Sequence, residues 1–344
     1  MSVTLIANKA GVSIATVSRV LNNSRPVNPR LAELVHNAVR DLKIAPKPAR
    51  RRIRTRSTQR QLTVALVAVG SVYREWFEMP VIAGVVAELT AMAQNRHMSV
   101  LITEMPDPRN LSQVLRRPDV SGAFAFVTTG MPQADMATLR QHMPVVRVMG
   151  GAIDPSEIDQ VCPDNVAVGS LATKHFLDLG IRELAFVTSS APWDLTRMRA
   201  LGFTVAAHVA GITPTLCQQE SGSEILPVPG ANMLSAVELV DVVRKLLQQR
   251  RGRMGIFVPR DLETVDIYRA LSACGARIGE DVVVVSCDNE NPRLASLHPR
   301  PASIDLGAVQ IAHHAVTRLA ERIEHPEDPP IRIMIQPKII LGDS

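Results

Sequence analysis

The sequence predicts an α/β protein that carries a small all-α domain at its N-terminus. Three observations predict this fold class: amphipathic helices fill the first 42 residues, apolar strands alternate with helices from Leu62 onward, and the net charge changes sign between these parts. Residues 1–61 hold 13 lysines and arginines against two acidic residues, whereas residues 62–344 hold 25 against 31. A basic segment on a mildly acidic body indicates a polyanionic partner at one end only.

The N-terminal pattern is that of two short helices joined by a glycine turn and supported by a third helix. Gly11 stands where the end of a helix favours a left-handed backbone, and Ser13 is expected to cap the second helix. The third helix is expected to have Asn28 as its cap and to carry an apolar stripe, formed by Leu31, Leu34, Val35, Ala38, Val39 and Leu42. This arrangement is typical of a helix-turn-helix DNA-binding domain, the alternative being a three-helix module that binds protein.

From Leu62 the pattern changes to alternating strands and helices. In the first half we expect strands at 62–70, 98–105, 121–127 and 144–150 and helices at 79–95, 110–117 and 134–142. In the second half we expect helices at 166–180, 197–211, 235–250 and 262–275 and strands at 182–189, 254–259 and 280–288. Two successive parallel units predict two doubly wound lobes with a cleft between them, and ligands in such folds bind at the carboxyl ends of the strands.

Several stretches resemble the LacI/GalR family of bacterial transcription regulators. The run AGVSIATVSRVLNNSRPVNP (residues 10–29) is similar to the family headpiece, while LATKHFLDLGIRELAFV, the RxxGF motif at 199–203 and GARIGEDVVVVSCD follow in the family order. The resemblance implies a headpiece at 1–45, a basic hinge at 46–61 and a periplasmic-binding-protein-like effector and dimerisation domain at 62–344. It also implies that helix 306–323 returns to the first lobe. We therefore expect a first lobe of about 62–163 plus 306–325, and a second of about 164–305 plus 326–344.

The resemblance assigns the DNA contacts to the second helix and the hinge. Ile14 and Ala15 occupy the base-reading positions and suit apolar contact with a thymine methyl, whereas Arg19 suits guanine or, alternatively, a phosphate. Contacts with the DNA backbone are expected from Ser13, Thr16, Ser18, Asn22, Asn28, Arg50 and Arg51. Ile53 matches the hinge residue that enters the minor groove as an apolar wedge. Arginine at position 50, where the family commonly has alanine, equally suits a narrow minor groove; by composition alone the hinge is a disordered linker.

The resemblance also assigns a ligand site. Arg199 opens the RxxGF motif, where family members carry an arginine that binds ligand hydroxyls or a carboxylate, and Asp288 directly follows a buried strand. The other candidates are acidic residues that line the cleft or only cap helices, and aromatic residues able to stack on a ligand, namely Asp261, Asp164, Tyr73, Trp76 and Trp193. Three positions that are polar in sugar-responsive relatives are apolar here: Phe126, Met149 and Leu306. A cationic, partly apolar pocket is expected, suited to a sugar acid, phosphate ester or other carboxylate as much as to a sugar.

The sequence thus predicts a homodimeric, cytoplasmic, nucleoid-associated repressor that binds a palindromic operator in double-stranded DNA and responds to a small effector. The alternative is the same DNA-binding regulator controlled by a protein partner, with a vestigial cleft. We expect no enzyme, since the chain has no glycine-rich phosphate loop after the first strand, no nucleophile elbow and no metal-spaced cluster. No cofactor, metal or membrane span is expected.

Overall fold

The computed structural model describes residues 3–21, 27–42, 62–127, 136–150, 158–190, 194–217 and 234–343. The chain divides into two compact units, Met1–Arg60 and Gln61–Ser344. The expected boundary between hinge and body lies within two residues of this division. Among the described helices, none is both long and apolar enough to cross a membrane.

The N-terminal unit contains three helices, α1 (Val3–Ala10), α2 (Ile14–Leu21) and α3 (Pro29–Asp41). Its core is small and apolar, and comprises Ile6, Ala7, Val17, Val35 and Ala38. The helix-turn-helix fold expected here is confirmed. The apolar stripe of α3 is only partly buried, because Leu31 and Leu34 remain exposed in this unit.

The second unit contains two lobes, each built on a six-stranded sheet. The first-lobe strands are β1 (Leu62–Val69), β2 (Met98–Met105), β3 (Val120–Val127), β4 (Val145–Val148), β5 (Asp159–Pro163) and β11 (Arg332–Ile335), in the order β11-β5-β4-β3-β1-β2. All of their pairings are parallel. The helices of this lobe are α4 (Arg74–Glu78), α5 (Pro80–Asn95), α6 (Ala137–His142) and α12 (Ala308–Glu324). Central strands such as β1 are almost entirely apolar, because helices cover both faces of a parallel sheet.

The second lobe repeats this design. Its strands are β6 (Glu183–Val187), β7 (Thr215–Cys217), β8 (Met254–Phe257), β9 (Val282–Cys287), β10 (Ala302–Asp305) and β12 (Lys338–Ile340), in the order β12-β10-β9-β8-β6-β7. Among these described strands, only the terminal pair, β10 with β12, is antiparallel. The helices are α7 (Asn165–Asp178), α8 (Asp194–Val209), α9 (Ala236–Gln248), α10 (Asp261–Ala273) and α11 (Asn291–Leu294). Two doubly wound lobes are therefore confirmed.

Two expectations about the body are wrong. Residues 110–117 form turns rather than a helix, and Leu111 and Leu115 are buried without one. The tail 326–344 does not belong wholly to the second lobe, since β11 extends the sheet of the first lobe beside β5, and only β12 joins the second. The chain therefore crosses between the lobes three times, at Asp164, at 306–307 and at 336–337.

Helices α7 and α8 of the second lobe pack with their backbones in contact. A Cβ atom built on Gly169 would lie 1.9 Å from the carbonyl oxygen of Arg199, and one on Gly202 would lie 1.9 Å from that of Val166. Ser170 and Thr173 of α7 also donate hydroxyl hydrogen bonds to carbonyl oxygens of α8, at 3.2 and 3.1 Å. This close approach fixes the position of Arg199, which α8 carries toward the carboxyl ends of the second-lobe strands.

Candidate functional site

Helix α2 presents the residues expected to read DNA. Gly11 has φ +64°, and the hydroxyl oxygen of Ser13 accepts a hydrogen bond from the backbone N–H of Thr16 at 3.1 Å, which confirms Ser13 as the cap. Val17 is buried in the core, whereas Ile14 and Arg19 are exposed, Ile14 by 52%. Ala15 and Ser18 are also exposed. The helix can therefore offer apolar and cationic side chains on one surface, as a major-groove reader requires.

The cap of α3 uses one of the residues expected at phosphates. The side-chain oxygen of Asn28 accepts a hydrogen bond from the backbone N–H of Arg30 at 3.0 Å, which confirms the expected cap. The contact of Asn28 with a phosphate stays a prediction. Thr16 is half-buried, with its hydroxyl 2.9 Å from that of Ser13. Five of the predicted DNA and ligand positions lie outside the described residues, namely Asn22, Arg50, Arg51, Ile53 and Trp193.

A cavity of about 410 Å³ lies between the lobes of the body. The first lobe supplies an apolar wall from the beginning of α5, formed by Pro80, Val81, Gly84 and Val85. The second lobe supplies a polar wall from the chain that follows β9, formed by Asp288, Asn289, Glu290, Asn291 and Pro292. The crossing after β10 completes the cavity with Asp305, Leu306 and Ala308. This location matches the carboxyl-end position expected for ligands.

Arg199 and Asp288 form a buried ion pair beside this cavity. The guanidinium Nη1 lies 3.3 Å from Oδ1 of Asp288 and also donates to the carbonyl oxygen of Pro259, while Nε donates to Oδ1 of Asn165 at 3.0 Å. Burial raises the pKa of Asp288, although Arg199 opposes the shift. The two predicted residues are thus brought together, with Asp288 on the cavity wall and Arg199 behind it.

Asp261 lies behind the same wall and is completely buried. Its carboxylate accepts hydrogen bonds from the hydroxyls of Ser286 and Ser303, the latter at 3.0 Å, and from the backbone N–H of Glu290 at 2.6 Å. Burial, reinforced by the negative charge of Asp288, raises the pKa of Asp261 to about 7. Asp261 therefore supports the residues that line the cavity but does not line it.

Arg260, the second arginine of this region, is also paired with a carboxylate of its own lobe. Arg260 lies 2.7 Å from the carboxylate of Glu263, which is buried and accepts hydrogen bonds from Thr188 at 2.7 Å and from the backbone N–H of Ser189 at 2.6 Å. Burial favours a raised pKa for Glu263, but Arg260 and these donors outweigh it and hold the pKa below its usual value. The polar wall therefore carries acceptors, and the cationic character that the sequence predicted for the pocket is wrong for the described residues, whereas its partly apolar lining is present.

The remaining predicted ligand residues are placed apart from this ion pair. Asp164 caps α7 by accepting from the N–H of Ala167 at 2.9 Å, and it accepts from Gln336 at 3.2 Å, joining two of the three lobe crossings. Tyr73 is exposed in the loop after β1. Trp76 is fully buried, with its ring centroid 4.9 Å from that of Phe126, and its indole nitrogen has no hydrogen-bond partner among the described residues.

Sequence reasoning missed most of the cavity wall. Asn289 and Glu290 directly follow Asp288, so their position after a buried strand was the available signal. The apolar start of α5 gave none, because Pro80, Val81 and Val85 read as ordinary core positions of an amphipathic helix.

Comparisons with known proteins agree with this architecture. The model of bacterial regulatory proteins of the lacI family matches residues 5–47, and that of the periplasmic binding protein-like domain matches residues 173–344. The transcriptional regulator CelR of Thermobifida fusca is 26% identical over 351 residues, covering 99% of this chain and 97% of its own. A solved CelR–cellobiose complex has a TM-score of 0.63 at 22% identity, covering 100% of this chain and 99% of its own. The structure of the lac repressor dimer bound to operator and the anti-inducer ONPF has a TM-score of 0.62 at 19% identity, covering 100% of this chain and 98% of its own.

The helix-turn-helix unit and the two-lobed body with its cleft define a DNA-binding regulator with a periplasmic-binding-protein-like domain. The chain belongs to the LacI family of bacterial transcriptional regulators. It is accordingly a transcriptional repressor of that family and not an enzyme.

Proposed function

We propose that this protein represses transcription from a palindromic operator as a homodimer, and that a small effector in the inter-lobe cavity changes its operator affinity. Exposed Ile14, Ala15 and Arg19 on α2 support sequence-specific reading of the major groove. The buried pair of Arg199 and Asp288 beside the cavity is the observation that carries the effector site. The similar lac repressor, which binds operator as a dimer, supports the proposed assembly.

The cavity chemistry favours a neutral, hydroxylated effector with one apolar face, as in a sugar. Asp288 and Asn289 offer carboxylate and amide oxygens, which accept hydrogen bonds from ligand hydroxyls. The arginines that contact this wall, Arg199 and Arg293, are already paired with Asp288 and Glu290, so a carboxylate or phosphate would meet little uncompensated positive charge. Apolar α5 residues on the opposite wall suit the C–H face of a sugar ring. The similar CelR structure contains cellobiose, a neutral disaccharide.

Operator affinity can respond to the effector only if the effector binds the DNA-competent and DNA-incompetent states with different free energies. The position of the cavity supports this condition, because its two walls belong to different lobes and the crossing 305–308 forms part of it. A ligand that contacts both walls therefore favours one degree of lobe closure over another.

The operator is found first, by selecting duplexes from a random library with the full chain. Fluorescence anisotropy should then show affinity for the selected duplex at least ~10³-fold higher than for a shuffled one. Equal affinity for both duplexes would reject sequence-specific repression.

The effector is sought by thermal shift of the full chain with neutral sugars, sugar acids and sugar phosphates. A ligand at a hundredfold excess over its Kd should stabilise the fold by ~2.7 kcal/mol, and we expect the response among the neutral sugars. Asp288→Asn should abolish the shift, whereas Asp266→Asn, which removes an exposed carboxylate on α10, should preserve it. A response confined to sugar acids or phosphates would overturn the ligand class. Silence across the panel would favour control by a protein partner.

A further inference from the structure

Glu290 of the second lobe makes a direct contact with the first lobe. Its Oε1 accepts a hydrogen bond from the backbone N–H of Val81 at 3.2 Å, across 209 residues of chain. The side chain is buried, and its Oε2 is paired with Arg293 at 2.5 Å. The contact lies on the wall of the inter-lobe cavity, because both Val81 and Glu290 line it.

At the start of α5, this acceptor replaces a side-chain cap from the helix's own cap residue. The first N–H groups of a helix have no partner within the helix, and the positive end of the helix dipole lies there. Met79 stands at the cap position but supplies no side-chain hydrogen bond, and Pro80 has no N–H. Val81 therefore carries the first backbone N–H of α5, and a carboxylate from the other lobe caps it.

The turn that carries Glu290 is fixed rigidly to the second lobe. Asp288 and Asn289 both have a positive φ, +105° and +53°, a backbone conformation that residues other than glycine adopt infrequently. Three consecutive backbone N–H groups hold this turn: that of Asp288 donates to Ile304 O at 2.9 Å, that of Asn289 to Ser303 Oγ at 3.0 Å, and that of Glu290 to Asp261 Oδ2 at 2.6 Å. The ion pair with Arg199 and the cap on α5 are thus two residues apart on one rigid turn.

We propose that Glu290 is a latch between the lobes, whose carboxylate caps α5 when the lobes are closed and thereby stabilises the closed form. Building on the effector site proposed above, the latch gives that site a means of regulation. A ligand that moves the turn at Asp288 also moves Glu290, and opening of the lobes leaves the first N–H of α5 without its acceptor. Glu290 is a positioning residue, which acts through α5.

Hydrogen–deuterium exchange of the full chain, without ligand or DNA, tests the latch directly. Glu290→Ala removes the acceptor, so exchange of the amides at the beginning of α5 should rise by roughly tenfold, the effect of losing one hydrogen bond to a charged group. Exchange in α7 and α8, which do not contact Glu290 through this bond, should stay as in the unchanged chain. Glu290→Gln retains a carbonyl acceptor but not the charge and should give a smaller increase at the same amides.

The matched control is Glu280→Ala, which removes an exposed second-lobe glutamate paired with Arg277. It should leave exchange in α5 unchanged. Unchanged exchange in α5 of Glu290→Ala, or an equal rise in α5, α7 and α8, would overturn the latch. If Glu290→Ala fails to fold, Glu290→Gln decides by the same local criterion. Because the experiment uses neither DNA nor effector, its failure leaves the proposed repression standing, and loss of specific operator binding leaves the latch standing.

Discussion

The two lobes share one strand order but place their buried charges at opposite ends of their sheets. In the first lobe, the buried carboxylate of Asp159 begins β5 and pairs with Arg322 at 2.7 Å and Arg318 at 3.0 Å, at the end of the sheet away from the cavity. In the second lobe, Asp261 and Asp288 follow strands β8 and β9, at the cavity end. The same strand order therefore does not imply the same surroundings at the cavity: the second lobe supplies a polar wall, and the first lobe supplies an apolar wall from α5.

The lobes differ again in the packing of their helices. The second lobe brings α7 and α8 together through Gly169 and Gly202, with backbone against backbone. In the first lobe, a Cβ atom added to Gly84 of α5 would meet no other atom within 4 Å, and this glycine lines the cavity. In the second lobe, glycine allows the close packing that fixes Arg199 beside the polar wall of the cavity, whereas in the first lobe glycine leaves open space at the apolar wall.

The largest expected effect is the difference in stability between the variants Gly169→Ala and Gly84→Ala. Gly169→Ala places a methyl group 1.9 Å from a carbonyl oxygen, so α7 and α8 must separate, and the free energy of unfolding should fall by about 3 kcal/mol or more. Gly84→Ala meets no atom and replaces a helix-interior glycine, so the same free energy should rise by about 0.5–1 kcal/mol. Urea denaturation of both variants provides the measurement. Similar values for the two variants would contradict the contrast between the lobes.

A second contrast concerns pH. Because the pKa of Asp261 is about 7 in the folded protein and close to 3.8 when unfolded, the folded state holds an extra proton between these values. The free energy of unfolding should therefore fall as the pH rises, by about 1 kcal/mol per unit between about pH 5 and 7, and level off above this window. Burial raises the pKa values of Asp288 and Glu290 as well, which adds to the same trend. Urea titrations across this pH range give the slope.

Substituting one buried carboxylate in each lobe, Asp261 or Asp159, separates their contributions to the pH dependence of the free energy of unfolding. Asp261→Asn should make the slope shallower. Burial alone would raise the pKa of Asp159, but Arg322, Arg318 and the N–H of Ile331 outweigh it and hold the pKa low. The stabilisation from Asp159 is therefore present above its unfolded pKa and lost only as the pH falls below it. Asp159→Asn should lower stability across the whole range and leave the slope unchanged; a changed slope there, or an unchanged one in Asp261→Asn, would reject this account.

The sequence was sufficient for the elements whose signals are local. Gly11, Ser13 and Asn28 mark helix ends through their own backbone and side-chain chemistry, and each does so in the structure. Long apolar runs such as β1 and β9 were predicted because strands buried on both faces need them. The same reasoning failed at 110–117, where Leu111 and Leu115 have helical spacing but are buried by turns.

The cavity depended on contacts that no local pattern reveals. Short strands such as β11 and β12 have three or four residues, so only pairing with distant strands identifies them and the third lobe crossing. The pairing of Arg199 with Asp288 and of Arg260 with Glu263 changes the charge of the pocket, yet the first pair is 89 residues apart. Reading the arginines one at a time therefore predicted a cationic pocket that their partners neutralise.

The smallest expected effect on the free energy of unfolding comes from removing the polar group of one buried ring in each lobe, Trp76 in the first and Tyr268 in the second. Trp76 of the first lobe has no partner for its indole N–H among the described residues, whereas the hydroxyl of Tyr268 in the second lobe donates to Pro299 O at 2.8 Å. In Trp76→Phe, the lost packing lowers the free energy of unfolding by about 1 kcal/mol, but removal of an unsatisfied buried donor raises it by about as much. The free energy of unfolding should change by less than about 1 kcal/mol.

Tyr268→Phe keeps the ring and removes a satisfied hydroxyl, which leaves the carbonyl oxygen of Pro299 without this donor. Its free energy of unfolding should fall by about 1–2 kcal/mol, although fewer atoms are removed than in Trp76→Phe. Urea denaturation of the two variants side by side measures the difference. A larger loss in Trp76→Phe than in Tyr268→Phe would mean that the indole nitrogen is satisfied in solution, and the contrast between the two buried rings would then be wrong.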